Sequence, residues 1–247
     1  MRLARVAFAS SLALISGLSA SAEQPQSGPR QAPGWEDFID GVIAAEQRAH
    51  HFAGAVVVVA KDGVIAFEKG YGFADFTARK VVDPARTLFR VGSNSKMFVW
   101  TAVMQLVEEG KLDLHTDVNR FLKGVQIPPT FAQPITLEHL MTHTAGFEDK
   151  VVGLFAKTSE KVRPLAELMK HDMPARIFPP GHVTAYSNYG AGLAALIVEQ
   201  VSGLPYERYL EDRILAPLQM THATIHQPVP GNLATDLSRA YEWTNGA

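Results

Sequence analysis

The sequence contains no cysteine. That absence excludes disulfides, a thiolate nucleophile and a cysteine-ligated metal. It also lacks an excess of positive charge. Its 23 Lys and Arg stand against 25 Asp and Glu, for a formal net charge of −2, whereas nucleic-acid binding asks for a basic face. No nucleic-acid partner is expected. Asp-rich calcium loops and Gly-rich phosphate loops are missing too, and neither a cofactor nor a metal is expected. Beyond the first 22 residues, no run approaches the roughly 20 apolar residues that span a bilayer. With 47% apolar and 19% charged residues, the 247 positions have the make-up of a folded globular chain of one large or two small domains.

The N-terminus reads as an export signal. Met1 to Arg5 is short and basic, and Val6 to Ala20 is uncharged and rich in Ala, Leu and Ser. Ala20-Ser21-Ala22 then supplies the small-x-small pattern of a cleavage site. The uncharged run is shorter than a spanning helix and rich in small residues, so cleavage before Glu23 is expected rather than a retained membrane anchor. Residues 1–22 are thus expected to be a signal peptide, 23–34 a Pro-, Gly- and Gln-rich linker, and 35–247 the folded domain. The mature protein is expected in the periplasm or outside the cell.

Hydrophobic spacing sets out the elements. Trp35, Phe38, Ile39 and Val42 share one helix face. Gly54 to Ala60 (GAVVVVA) is a β-branched block, Asp62-Gly63 a hairpin turn pair, and Val64 to Tyr71 the returning strand. The unbroken valine run predicts a strand buried on both faces, inside a sheet with helices on either side. From Ser93 the pattern is helical, with Met97, Trp100, Val103 and Val107 on one face and Gly110 as the stop. Shorter helices are expected over Leu137 to His143, capped by Thr136, over Pro164 to Lys170, over Asn188 to Val201, and over Tyr206 to Leu215 after Pro205.

Two short motifs carry chemistry. In Ser93-Asn94-Ser95-Lys96, a serine at a helix start sits among free backbone N–H groups at the positive end of the dipole. Lys96, three residues on, shares its face. A serine hydroxyl needs such a partner to become a nucleophile, and the Ser93 N–H is placed to donate to an oxyanion. On its own the tetrapeptide reads better as a helix cap beside a solvated lysine. Its position at a strand-to-helix junction favours the chemical reading. In Tyr186-Ser187-Asn188, residues i and i+2 point the same way when extended. A tyrosine beside a lysine ionises more readily and can move a proton, and Asn188 offers both a carbonyl and an amide. A buried tyrosine and a capping asparagine are the plainer alternative. His139 and His143 stand i, i+4 as metal ligands do, but Leu140 replaces the glutamate of H-E-x-x-H, and no metal is assigned to them or to His222 and His226.

Five blocks in order carry a resemblance. They are Phe52 to Tyr71, Phe89 to Met97 (FRVGSNSKM), Ile135 to Phe147 (ITLEHLMTHTAGF), Pro180 to Gly190 (PGHVTAYSNYG) and Leu215 to Met220 (LAPLQM). Together they resemble the class C β-lactamase-like branch of the serine β-lactamase and penicillin-binding-protein superfamily, which includes D-amino-acid peptidases and esterases. The resemblance implies an α/β fold, an antiparallel sheet flanked by helices plus a helical lobe. It implies Ser93 as the acylated nucleophile, Lys96 as its partner, Tyr186 as the second catalytic group and Asn188 as a substrate-binding residue. The substrate class would be a β-lactam, a D-amino-acid peptide or an ester, taken as a small molecule or peptide. A sensor that acylates without turnover, or an inactive fragment, are the other implied functions.

One departure stands out. The family's third motif, of the K-T-G or H-x-G kind on a late strand, has no match beyond Trp243-Thr244-Asn245-Gly246. The chain is therefore expected to lack the C-terminal strands of the fold.

Overall fold

The computed structural model describes residues 34–150, 155–156 and 158–244. The export signal expected over 1–22, and the linker expected over 23–34 apart from Gly34, lie outside these residues.

Helix α1 (Trp35–His50) carries Glu36 and Asp37 in its first turn and Arg48 and His50 in its last, the order that suits the helix dipole. Its apolar stripe does not face the protein, since Trp35, Phe38 and Val42 are exposed. The side bearing Glu36 and Asp40 turns inward instead. Lys69 Nζ donates to Glu36 Oε1 at 2.8 Å and to Asp40 Oδ2 at 2.9 Å, and Tyr71 Oη donates to Asp40 Oδ1 at 2.7 Å. A half-buried ammonium without carboxylates costs more than apolar side chains left at a surface, so the lysine sets which face of α1 packs.

Strands β1 (Gly54–Lys61) and β2 (Val64–Asp75) pair antiparallel through Lys61↔Val64, Val58↔Glu68 and Gly54↔Gly72. Asp62 (φ 52°) and Gly63 (φ 74°) form the turn, both left-handed as a tight type I′ hairpin requires. A short β3 (Lys80–Val81) lies on the far side of β2, giving the order β1-β2-β3. Among the described residues β1 is an edge with β2 as its only strand neighbour, and Val58 is 50% exposed. β-Branched residues favour the strand backbone wherever it lies.

The core sits in the helical lobe. It is built from α2 (Lys96–Glu108), α3 (Leu137–Met141), α4 (Leu165–His171), α5 (Asn188–Ser202) and α6 (Tyr206–Leu210), the last continuing into a π turn over Glu211–Leu215. A further short helix, α7 (Gly231–Ala234), follows. α5 buries nearly every residue from Tyr189 to Val198, as a helix apolar on all sides must. Around it pack Val103, Leu106, Leu140 and Tyr209, each at most 1% exposed. On α2 the buried residues are Val99, Ala102, Val103 and Leu106, whereas Met97, expected on that face, is 58% exposed. Lys96, Val99, Val103 and Leu106 form one stripe at helical spacing. The stripe that buries against α5 is thus the one that carries Lys96 toward α5's first residue.

Near the sheet, Leu88 bridges in parallel to Leu237, and the Arg239 N–H donates to Ala74 O at 2.8 Å. These contacts tie β2 to the segment that leads into Ser93.

Candidate active site

Ser93 lies in a 3₁₀ turn, Gly92–Ser95, that runs directly into α2. The sequence places Ser93 in the helix itself; the tighter turn comes first, a common way for a helix to begin. Ser93 is solvent-exposed and Lys96 partly buried. Across from them, α5 begins at Asn188, with the Ser187 hydroxyl as its cap, accepting from the Gly190 N–H at 3.0 Å. Capping by Ser187 leaves Asn188 free for another task, and the extended residues before the helix aim Tyr186 and Asn188 at one point.

All four sequence-predicted residues converge there. Lys96 Nζ donates to Ser93 Oγ at 3.1 Å, to Tyr186 Oη at 2.5 Å and to Asn188 Oδ1 at 2.8 Å. Ser93 Oγ and Tyr186 Oη are 2.5 Å apart. Lys96 Nζ thus meets Asn188 through the carbonyl oxygen of its amide, the acceptor end of that side chain. Lys96 Nζ also lies 4.7 Å from the centre of the Tyr186 ring. Hydrogen bonds from Lys96, and then from Ser93, hold the Tyr186 phenol below its ordinary pKa of 10.0; burial and the carboxylate of Asp149 act in the opposite sense. The arrangement thus has a hydroxyl in contact with an acidified phenol, and a lysine bridging both.

The loop that carries Tyr186 is zippered to the segment after α3. The Ile177 N–H donates to Gly146 O, the Gly181 N–H to Thr144 O and the Ala185 N–H to His143 O. His143 itself adopts φ 57°, which ends α3 two residues before the expected end at His143. Its Nδ1 accepts from the Ser187 N–H at 3.2 Å, and its ring lies 4.6 Å from that of Tyr186. Sequence reasoning placed His143 in the block from Ile135 to Phe147 and assigned it no metal, but missed this contact, which joins it to a residue far along the chain. The two histidines do not come together. His139 Nδ1 is engaged by Thr136 in a capping box at the start of α3. His226 pairs with Glu211 and His222 lies near Asp236. Of the tetrapeptide at 243–246, Trp243 stacks on His51 with ring centres 4.0 Å apart; Asn245 and Gly246 lie outside the described residues.

Comparison with known proteins bears on the family and the fold. The Beta-lactamase family model matches residues 39–242. The chain is 29% identical over 191 residues to Protein flp of Staphylococcus aureus (strain N315), covering 76% of this chain and 38% of that protein. It is 34% identical over 178 residues to the putative penicillin-binding protein PbpX of Bacillus subtilis (strain 168), covering 71% and 42%. Its fold matches the octameric penicillin-binding protein homologue from Pyrococcus abyssi at a TM-score of 0.68 and 26% identity, over 82% of this chain and 47% of that one. The chain spans less than half the length of each of these relatives.

Proposed function

The chain belongs to the Beta-lactamase family, a family of serine hydrolases, and from that premise we propose that it is an exported enzyme that transfers an acyl group to Ser93 and then to water. The observation that supports this reading best is the contact of Ser93 Oγ with a phenol whose pKa is lowered by Lys96. Tyr186, as phenolate, takes the Ser93 proton while Oγ attacks the substrate carbonyl. The tetrahedral intermediate carries its negative charge on the former carbonyl oxygen, which the Ser93 N–H at the helix start is placed to meet. Its collapse breaks the bond to the leaving group, and Tyr186 returns the proton to that group. Water then attacks the acyl-Ser93 ester with Tyr186 again as base, releasing the acid and restoring the hydroxyl. Lys96 supplies the hydrogen bonds that favour the phenolate, and Asn188 Oδ1 holds Lys96 in place.

The substrate is an ester, a β-lactam or a D-amino-acid peptide, met in the periplasm or outside the cell after cleavage before Glu23. Residues 35–247 form the acyl-transfer domain and 23–34 its tether. The direct test is covalent labelling. A fluorophosphonate probe is expected on Ser93, located by mass spectrometry of the labelled peptide. Equal labelling of Ser93→Ala would remove the assignment.

A further inference from the structure

Tyr186 acts only if the residues before α5 hold its phenol at Ser93. Those residues have no hydrogen-bonded element of their own and lean on the segment after α3. His143 is the last point of that support. Its carbonyl accepts from the Ala185 N–H at 2.7 Å and its Nδ1 from the Ser187 N–H at 3.2 Å, so one residue grips the chain on both sides of Tyr186. Its ring also lies against the Tyr186 ring at 4.6 Å, with Trp100 of α2 edge-on at 6.2 Å.

We infer that His143 is a positioning residue for the acyl-transfer site, whose unprotonated imidazole fixes Tyr186 on Ser93 and whose protonation releases it. The inference rests on the hydrolase reading given above. An imidazole that accepts at Nδ1 carries its single proton on Nε2, so an added proton must go to Nδ1. The acceptor then becomes a donor facing the donor of Ser187, and the loop loses its hold immediately beside Tyr186. The titratable and charged groups that face the ring are Lys96 from α2 and Tyr186 from the loop before α5. Burial, and then the charge of Lys96, keep the imidazole below its ordinary pKa of 6.5, so the gripping form prevails at neutral pH. An added positive charge would itself favour the Tyr186 phenolate. Any loss of reactivity on protonation therefore reports geometry, a phenolate no longer aimed at Ser93 Oγ.

The test is the pH dependence of Ser93 labelling by a fluorophosphonate in the full chain, beside the 15N shift of the Ser187 amide in the same pH series. Above the His143 pKa, the logarithm of the rate is expected to follow pH with a slope of one, from Tyr186. Below it the slope becomes two, and one pH unit further down the rate falls about tenfold beneath the extrapolated line. The Ser187 amide shift should move with the same inflection. His143→Asn tolerates the left-handed backbone and keeps an acceptor that does not titrate. It should recover labelling lost in His143→Ala, with a slope of one throughout. A slope of one in the native chain across the His143 titration, or the same steepening in His143→Asn, would overturn the inference. Absence of labelling at every pH would refute the hydrolase reading instead; a Ser187 shift that ignores the His143 titration would then independently overturn the contact.

Discussion

Tyr186 Oη lies 2.5 Å from both Ser93 Oγ and Lys96 Nζ, so in the proposed mechanism it is the group that takes the Ser93 proton. In that mechanism the base is the deprotonated phenol. Because its pKa is lowered from 10.0, a larger fraction is ionised at any given pH than for a free tyrosine, and reactivity rises with pH through that lowered value. Tyr186→Phe removes the base and is expected to slow Ser93 labelling by roughly 10²–10⁴-fold, the usual worth of general acid–base catalysis. Lys96→Ala removes the hydrogen bond that contributes most to the lowering, returning the phenol toward its ordinary pKa. Both changes destroy the same species. Their effects should therefore not multiply, and the double variant should label no more slowly than about the worse single, as in catalytic groups that act as a unit. Second-order labelling rates of the three proteins check this; losses that multiply would mean two independent roles.

Much of the site was legible in the sequence, because its parts are local. Ser93 and Lys96 lie within one turn, Tyr186 and Asn188 within one extended tripeptide, and punctuation such as Asp62-Gly63, Thr136, Pro205 and Gly203 marks element ends that the structure keeps within a few residues. Facing and depth were not legible, since they depend on partners distant in sequence. Lys69 turned the apolar stripe of α1 outward, and among the described residues the Val56–Val59 run has a strand on one side only. The His143 contact was hidden for the same reason, as it joins residues 44 positions apart. Gly146 tests the importance of that long-range zipper. It has φ 78°, and a Cβ there would stand 2.0 Å from Phe178 O, so both backbone strain and a backbone clash oppose any side chain. Gly146→Ala is expected to destabilise the fold by more than about 1 kcal/mol and to slow labelling through displacement of the Tyr186 loop. Denaturant unfolding with the same labelling assay measures both; a variant as stable as the native chain would mean the segment adjusts freely.

Burial among the described residues is lopsided. The helical lobe holds a core of residues almost wholly withdrawn from water, including Val103, Leu193, Leu196 and Ile197, while the sheet buries far less. On β2, Phe67 and Ala74 are buried, with Val82 just past β3, but β1 has a strand on one side only among the described residues. α1 likewise presents Trp35, Phe38 and Val42 to solvent, with Phe38 71% exposed. An edge of unpaired backbone groups on an apolar strand is a template for pairing with another chain, and proteins that keep such edges apart commonly do so with a lysine. β1 has Lys61 only at its very end. The chain as described is therefore expected to self-associate as its concentration rises, through β1 rather than through the helical lobe. Val58→Lys places a charge at an already exposed position of that strand, where it needs no burial. It should lower the mass seen by light scattering without changing the far-UV spectrum. Val58 lies on β1, whereas Ser93, Lys96, Tyr186 and Asn188 come from α2, its preceding turn and the start of α5, so Ser93 labelling per mole should survive the substitution. Association of equal strength in Val58→Lys would rule out the β1 edge and direct attention to the exposed stripe of α1, which Phe38→Lys would test in the same assay.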